Sequence, residues 1–359
     1  MDVAVVGASI AGCIAAKHAA QAGLDVVILE EHGEVGKQRK CTSIVSASGL
    51  PRMGIDYQSA IVHQVQGAFI HSPAATLTIR SRETKAYVLD RQRFDEQCAM
   101  EAEQAGAAIL LNEPALSIRP TQIQTSKRNV TTRAIVGADG ASSQVARSLG
   151  FAELTGQQYV LCYEAEFEGA QVSDPSMVDV FVDNEKFPGF FAWMVPTSAE
   201  SVRVGLGTVP HASLEGGRQA LFENRIVREA LTSAKSVREF HALIPLAFRS
   251  QTQLGTTLLV GDAAGQVKAT TGGGWVYGGS CARLAGDALG KHVGQGQPLV
   301  YEQAWRSQFE GPLRWHQRIR GFLNSMSNRQ LDWLVGSAAA LRMNRVMEWF
   351  GDMDFILKQ

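Results

Sequence analysis

The sequence predicts an α/β fold in three parts: a parallel-sheet domain, an antiparallel sheet beside it and a helical C-terminal segment. Three observations lead there. The chain opens on a strand, a glycine-bearing turn, an alanine-rich helix, a second strand and an acid. Its middle carries short strands in alternation, and from Tyr301 apolar residues recur at helical spacing.

The opening unit comes first. Val3, Ala4, Val5 and Val6 make a short apolar run, as expected of a strand buried on both faces. Gly7-Ala8-Ser9-Ile10-Ala11-Gly12 follows, and Ala15, Ala16, Ala19 and Ala20 then put small residues on the helix face that meets the sheet. Gly23 closes the helix, Val26 to Leu29 form the next strand and Glu30 stands at its end. Such a turn aims helix N–H groups, and the positive end of the helix dipole, at a pyrophosphate. Gly7 permits the tight turn and Gly12 the close approach of helix to strand. Ser9 replaces the middle glycine of the usual triplet, and Ala11 lies in the same turn. Glu30 comes at about the 20-residue spacing at which an acid accepts hydrogen bonds from a ribose. The unit reads as a Rossmann-like dinucleotide site.

Three later segments choose the dinucleotide. Tyr87-Val88-Leu89-Asp90 leads into a helix through Ala105, and Arg91 is placed to meet a phosphate or a flavin edge. Ala134 to Gly137 runs into Ala138-Asp139-Gly140, a second strand-to-helix turn. Leu258-Leu259-Val260 runs into Gly261-Asp262, where a carboxylate can bind a ribityl or ribose hydroxyl. Gly272, Gly273 and Gly274 then open a helix at Trp275. They are expected to leave bare N–H groups aimed outward, where a helix N-terminus stabilises the negative charge of a reduced flavin. A nicotinamide dehydrogenase has no need of these segments, and no second glycine turn with a downstream acid occurs. The expected cofactor is FAD.

In this order the segments resemble the FAD-binding fold of p-hydroxybenzoate hydroxylase and its relatives. Within that fold the sequence resembles the geranylgeranyl reductase family, which includes archaeal digeranylgeranylglycerophospholipid reductases. Three stretches carry the likeness. Residues 36–46 hold Cys41 where the family has a cysteine. Residues 261–274 are close throughout, with Ala269 where the family often has proline. Pro188-Gly189-Phe190-Phe191-Ala192-Trp193-Met194-Val195-Pro196 resembles the family's P-x-x-Y-x-W-x-F-P element. Phe191 and Val195 replace its tyrosine and phenylalanine, which keeps the apolar wall and removes one hydroxyl.

The resemblance implies an FAD-dependent reductase that saturates C=C bonds of geranylgeranyl (isoprenoid) chains in membrane lipid precursors. It implies FAD contacts at Gly12, Glu30, Cys41, Thr42, Ile44, Arg91, Ala115, Asp262, Gly274 and Trp275, several of them through backbone. It implies a lipid wall at Pro188, Gly189, Phe191, Trp193 and Pro196. Cys41 and Tyr277 are proton-donor candidates by expected nearness to the flavin. The electron donor stays open between a ferredoxin and a nicotinamide. Two other readings remain. A flavin monooxygenase or halogenase shares the fold and the Asp139-Gly140 turn, although Phe191-Ala192-Trp193 lacks the first tryptophan of the halogenase W-x-W-x-I-P element. A flavin- and lipid-binding protein without turnover is the other.

Composition sets limits. A net charge of −1 over 359 residues gives no basic field for nucleic acid, and 45% hydrophobic residues suffice for more than one domain. The five cysteines are odd in number and form no CxxC pair, so neither a disulfide framework nor a structural zinc site is expected. No secretory leader opens the sequence, and it has no run of about 20 apolar residues to span a bilayer. A cytoplasmic location is expected, with any membrane contact peripheral. The expected domains are discontinuous: 1–60, 86–150 and 250–300 for FAD, 61–85 and 151–249 for the antiparallel substrate sheet, and 301–359 for the helices. In that last region Trp305, Phe309, Leu313, Trp315, Ile319, Phe322, Leu331, Trp333, Leu334, Leu341, Val346, Trp349 and Phe350 recur at helical spacing. Arg306, Arg314, Arg318, Arg320, Arg329, Arg342 and Arg345 lie among them. Such helices can lie on an anionic bilayer or pack on the body of the protein. Packing is the favoured expectation, and both can hold for different faces.

Overall fold

Val3–Val6 is wholly buried, so both of its edges need hydrogen-bonding partners. Ala134–Gly137 and Val26–Leu29 supply them in parallel, with Val5 level with Val136 and Ile28. The sheet grows to six strands in the order Gln253–Leu254, Thr257–Leu259, Ala134–Gly137, Val3–Val6, Val26–Leu29 and Ala108–Leu110. All neighbours run parallel except the outermost pair, Gln253–Leu254 with Thr257–Leu259. The structure, a computed structural model, describes residues 1–37 and 40–341.

Two helices, Ile10–Gln21 and Trp275–Leu289, share one face of this sheet and cross at backbone distance. A Cβ on Gly286 would lie 2.6 Å from the Ala15 carbonyl oxygen, and one on Gly278 would lie 2.9 Å from the Gly261 Cα. Ala15, Ala16, Ala19, Ala282 and Ala285 are buried in the same core. On the other face, Ala115–Arg119, Gln122–Thr125 and Asn129–Thr131 form a three-stranded sheet that covers Ala4, Val6, Val27 and Leu29.

The second large sheet has seven strands, in the order Lys235–Pro245, Tyr159–Glu168, Ser201–Thr208, Ala192–Pro196, Met177–Phe181, Gly67–His71 and Thr76–Arg80. It is antiparallel apart from one parallel pair, Met177–Phe181 with Gly67–His71. Strand alternation gives it two faces. Val202, Val204 and Leu206 pack under the helices Leu214–Glu223 and Arg225–Ala230. Val160, Cys162, Trp193 and Val195 point the other way and pack with Val88, Val267 and Ala269, close to the turn that opens the Trp275 helix. Ile61–Val65, read from the sequence as part of this sheet, pairs instead with Ala86–Leu89, which also carries Ile44–Ser46. Alternation marks a strand and does not name its partner.

Residues 301–340 are mostly helical, with helices at Tyr301–Trp305, Gly311–Asn324 and Asn328–Ala340. Tyr301 donates its hydroxyl to the Leu259 carbonyl at 2.7 Å, and Trp305 Nε1 donates to Thr252 Oγ1 at 2.7 Å. These bonds pin the segment to the edge of the parallel sheet. Farther on, Asn184 Nδ2 donates to the carbonyls of Leu323 and Met326, at 2.8 Å each, so the later helices also hold the seven-stranded sheet.

The expected packing on the body is seen on one face of this region, and the other face is exposed. Trp305, Phe309, Leu313, Leu331 and Val335 are buried, whereas Trp315, Phe322 and Trp333 are 48%, 59% and 71% exposed. Its arginines divide as well. Arg306 is not a surface charge, because it bonds Glu302, Glu310 and the carbonyls of Arg249 and Ser250. Arg342, Arg345, Val346, Trp349 and Phe350 lie outside the described residues, as do Gln38 and Arg39. No described helix is long and apolar enough to cross a membrane.

The helix crossing can be tested directly. Gly286→Ala puts a methyl 2.6 Å from backbone and is expected to cost about 1–3 kcal/mol. At Gly321, in the Gly311–Asn324 helix, a Cβ would meet nothing within 4 Å, so Gly321→Ala is expected to stabilise by about 0.5–1 kcal/mol. Thermal melts of the two variants should move in opposite directions.

Candidate active site

Four strands of the parallel sheet end on one edge, and each is followed by a residue singled out in the sequence. Gly7 follows Val3–Val6, Glu30 follows Val26–Leu29, Asp139 follows Ala134–Gly137 and Asp262 follows Thr257–Leu259. The crevice outside such carboxyl ends is where open α/β sheets bind ligands. Gly7 has φ +102°, and a Cβ there would lie 2.6 Å from the Ala138 carbonyl oxygen. A Cβ on Gly12 would lie 1.9 Å from the Gly7 carbonyl oxygen, so both positions require glycine. Ser9 is the N-cap of the Ile10 helix, yet its side chain makes no capping bond, and Ala11 lies in the first turn.

Glu30 ties this turn to its neighbours. Its carboxylate accepts the Ala8 N–H at 2.9 Å and the His32 N–H at 3.0 Å, and faces His32 Nδ1 at 2.6 Å. Glu113 donates its N–H to the Glu30 carbonyl at 2.8 Å, which brings Ala115 alongside the same strand end. Asp139 is engaged differently from Glu30. Ser143 Oγ donates to one carboxylate oxygen at 2.6 Å and the Val145 N–H to the other at 2.9 Å. Its side chain therefore organises the Gln144–Ser148 helix, leaving the backbone of that turn to face outward.

A second cluster forms where the Trp275 helix begins. Gly274 is its N-cap and has no side chain with which to cap it. The helices Arg91–Gln104, Leu214–Glu223 and Asn328–Ala340, by contrast, are capped by the side chains of Asp90, Ser213 and Ser327. Asp262 lies under this start, its Oδ1 3.0 Å from where a Gly274 Cβ would be. Burial pushes the Asp262 carboxyl up in pKa, and Arg91 opposes that. Arg91 Nε meets Asp95 Oδ2 at 2.7 Å, and the guanidinium lies over the Trp275 ring, 5.0 Å from its centroid. Phe94 stacks on the same indole with ring centroids 5.2 Å apart. Burial works against the Arg91 cation, but nearby Asp95, Cys41 and Asp262 hold its pKa above the usual value. Asp95 Oδ1 is buried without a partner. One expectation is corrected here. The Gly272 N–H is not bare, because it donates to the Lys268 carbonyl at 2.8 Å, and the Gly273 carbonyl accepts the Lys268 N–H at 3.1 Å.

The edge thus offers two long helices with no side-chain cap, a guanidinium and two buried carboxyls. The donors suit a pyrophosphate and a flavin ring edge, and the carboxyls suit hydroxyl groups, so the residues present fit an FAD molecule.

The seven-stranded sheet adds an apolar wall. Phe190 and Phe191 stack with centroids 4.3 Å apart, and each ring meets Trp193 edge-on. Two glycines on the Ser201–Thr208 strand make room. A Cβ on Gly205 would lie 2.6 Å from the Trp193 ring, and one on Gly207 would lie 2.5 Å from Phe190. Phe190 also reaches to 3.2 Å from where a Gly272 Cβ would be, so the wall touches the turn before the Trp275 helix. Cys41 is half-buried, and its Sγ accepts the Ser43 N–H at 3.3 Å. Thr42 donates its hydroxyl to Glu164 Oε2, and its carbonyl accepts from Arg203 Nη1 at 2.7 Å. Ile44 begins the strand that pairs with Val88.

Four expected residues stand apart from this wall. Pro188 and Gly189 sit past the end of the Ser201–Thr208 strand, where the Pro188 carbonyl accepts from Thr208 and Val209 and the Gly189 carbonyl accepts from Arg320 Nε at 3.0 Å. Pro196 pairs with Val202 and shares the opposite sheet face with Ala192 and Met194. Tyr277 is fully buried and packs its ring on Phe309 and His316, on the side of the C-terminal helices. Glu164, Arg203 and the Gly205–Gly207 pair were not singled out in the sequence. The glycines were findable, as two glycines two residues apart in an otherwise apolar strand.

Comparison with known proteins agrees with this architecture. The FAD binding domain family model matches residues 1–298. The chain is 30% identical to digeranylgeranylglycerophospholipid reductase 2 of Methanopyrus kandleri over 93% of its own length and 89% of that protein's. It superimposes on a geranylgeranyl bacteriochlorophyll reductase-like protein from Thermoplasma acidophilum with a TM-score of 0.86 at 24% identity, covering 93% of this chain and 90% of that one. A flavin-dependent brominase shares the fold more distantly, with a TM-score of 0.79 at 14% identity over 99% of this chain and 94% of the other. The uncapped glycine turns on one sheet edge and these similarities agree: the chain belongs to the FAD binding domain family and, within it, to the geranylgeranyl reductases, and is an FAD-dependent oxidoreductase.

Proposed function

We propose that this protein saturates isolated C=C bonds of geranylgeranyl chains in membrane lipid precursors. The observation that carries the reading is the aromatic wall of Phe190, Phe191 and Trp193, in contact with the glycine turn of the cofactor edge. Such a surface suits a hydrocarbon chain and excludes water from it. The name of the Methanopyrus relative supports the substrate class.

In this reading Gly7, Ser9, Ala11 and Gly12 hold the pyrophosphate, and Glu30 and Ala115 hold the adenosine end. Arg91, Cys41, Thr42, Ile44, Asp262, Gly272, Gly273, Gly274 and Trp275 surround the ring and its ribityl chain, with the backbone of the Asp139 turn beside them. When bound and reduced, FAD supplies hydride. Phe191 and Trp193 hold the alkene in register, with Pro188 and Gly189 at the mouth; Pro196 supports the wall from behind. Anaerobic incubation of chemically reduced protein with a geranylgeranyl lipid should raise the lipid mass by two hydrogens per bond saturated. Trp193→Ala should cut turnover roughly tenfold or more, a loss of about 1.4 kcal/mol in transition-state stabilisation, with bound FAD unchanged. Oxygen-dependent hydroxylation of an aromatic compound, without lipid reduction, would contradict the reading.

The lipid must also be reached. We infer that the C-terminal helices rest on an anionic bilayer surface at the cytoplasmic side. Trp315 and Phe322 stand seven residues apart on the exposed face of one helix, with Arg314 and Arg318 between or beside them, and exposed Trp333 and Arg329 lie on the next. Exposed aromatics among arginines match an interfacial helix. Vesicles containing phosphatidylglycerol should retain the protein and neutral vesicles should not. The Trp315→Ala, Trp333→Ala double variant should be released from the anionic vesicles.

A further inference from the structure

Glu164 has no task in the reading above. It lies mid-strand in Tyr159–Glu168, level with Gly205 on one neighbouring strand and Phe240 on the other, and is 1% exposed. One oxygen, Oε2, accepts from two donors: Trp193 Nε1 at 3.0 Å and the Thr42 hydroxyl. The other, Oε1, is buried and has no partner. The carboxyl therefore joins a residue of the aromatic wall to the residue after Cys41.

Its charged neighbours come from the strands on its two sides. Arg203 lies on the next strand and Arg238 on the strand beyond the other edge, and both also face Glu166, at 3.6 and 3.2 Å. Burial pushes the Glu164 carboxyl above the ordinary carboxylate range, against the pull of Thr42, Arg203, Trp193 and Arg238. A proton on this group belongs on Oε1, since Oε2 already receives two. A buried carboxyl oxygen with no partner is a costly arrangement that calls for an explanation in function.

We propose that Glu164 is the proton donor of the reduction, with Oε1 delivering its proton to an alkene carbon seated between Trp193 and the Cys41 segment. The proposal rests on the isoprenoid-reductase reading. The step balances. The O–H bond of Glu164 breaks as a C–H bond forms at one alkene carbon, and the π pair is consumed. Hydride from the reduced cofactor forms the second C–H bond, and the resulting carboxylate regains a proton from solvent. An isolated alkene is a weak base, so a donor kept neutral in a dry site suits it better than a solvated acid. Tyr277 faces the C-terminal helices instead.

The test pairs spectroscopy with turnover on the full FAD-loaded protein. The infrared spectrum should show a protonated-carboxyl C=O band that is lost in Glu164→Gln and displaced in Glu164→Asp. Glutamine can still accept from Thr42 and Trp193, so FAD content and melting temperature should hold. Turnover of a geranylgeranyl lipid by Glu164→Gln should fall by about 10²–10⁴-fold, the usual worth of a general acid, with KM little changed. Glu164→Asp should recover part of that loss. Absence of the band in the wild type overturns the proposal, and so does a glutamine variant that turns over within a few fold of it. A wild type that shows the band yet reduces no isoprenoid lipid defeats the reductase reading, and the donor role with it. If Glu164→Gln does not fold, the wild-type band and the turnover of Glu164→Asp decide the matter.

Discussion

The structure depends on one close crossing. The Ile10 and Trp275 helices pass each other with backbone where side chains would ordinarily be, at Gly286 against Ala15, and Gly278 of the second helix meets Gly261 in the turn after Thr257–Leu259. That contact lets two helix N-termini open on the same sheet edge. Neither Ser9 nor Gly274 caps its helix with a side chain, whereas Asp90, Ser213 and Ser327 cap theirs. Backbone donors left open at two neighbouring positions make an edge that attracts negative charge. The half-buried Arg91 guanidinium adds to it, and Asp95 keeps that guanidinium in place.

The seven-stranded sheet supplies what the edge lacks. Removing two side chains at Gly205 and Gly207 gives Trp193 and Phe190 a floor, so that large rings lie across the strands instead of standing on them. Two hydrogen bonds bring polar groups into this wall. Trp193 gives its N–H to Glu164, and Arg203 gives an N–H to the Thr42 carbonyl. Through Glu164 and Arg203 the seven-stranded sheet is thus bonded to Thr42, just before the strand Ile44–Ser46 of the small three-stranded sheet.

Much of the cofactor edge was legible in the sequence because it is local. Gly7, Gly12, Glu30 and Asp262 are fixed by a turn and the strand before it, and a period of two or of 3.6 with a glycine between announces them. The wall was legible only through family resemblance, and its supports were not legible at all. Glu164 meets Thr42 across 122 positions, and Arg203 meets Thr42 across 161. No spacing rule reaches that far. The partner of Ile61–Val65 was missed for the same reason. Asp139 marks its turn in the sequence, but that its side chain is taken by Ser143 and Val145 of the same turn is visible only in the structure. Among the C-terminal arginines, composition did not separate Arg306 and Arg320, which bind carbonyls inside the protein, from those at the surface.

The central claim is that the helix starts are left uncapped for the cofactor, and Ser9→Asp tests it most directly. An aspartate N-cap satisfies the Ile10 helix by about 1 kcal/mol and places a negative charge where the pyrophosphate would sit. The account predicts an apoprotein that melts no lower than the parent but binds FAD at least tenfold more weakly in a calorimetric titration. An unchanged FAD affinity in the Ser9→Asp protein would contradict it.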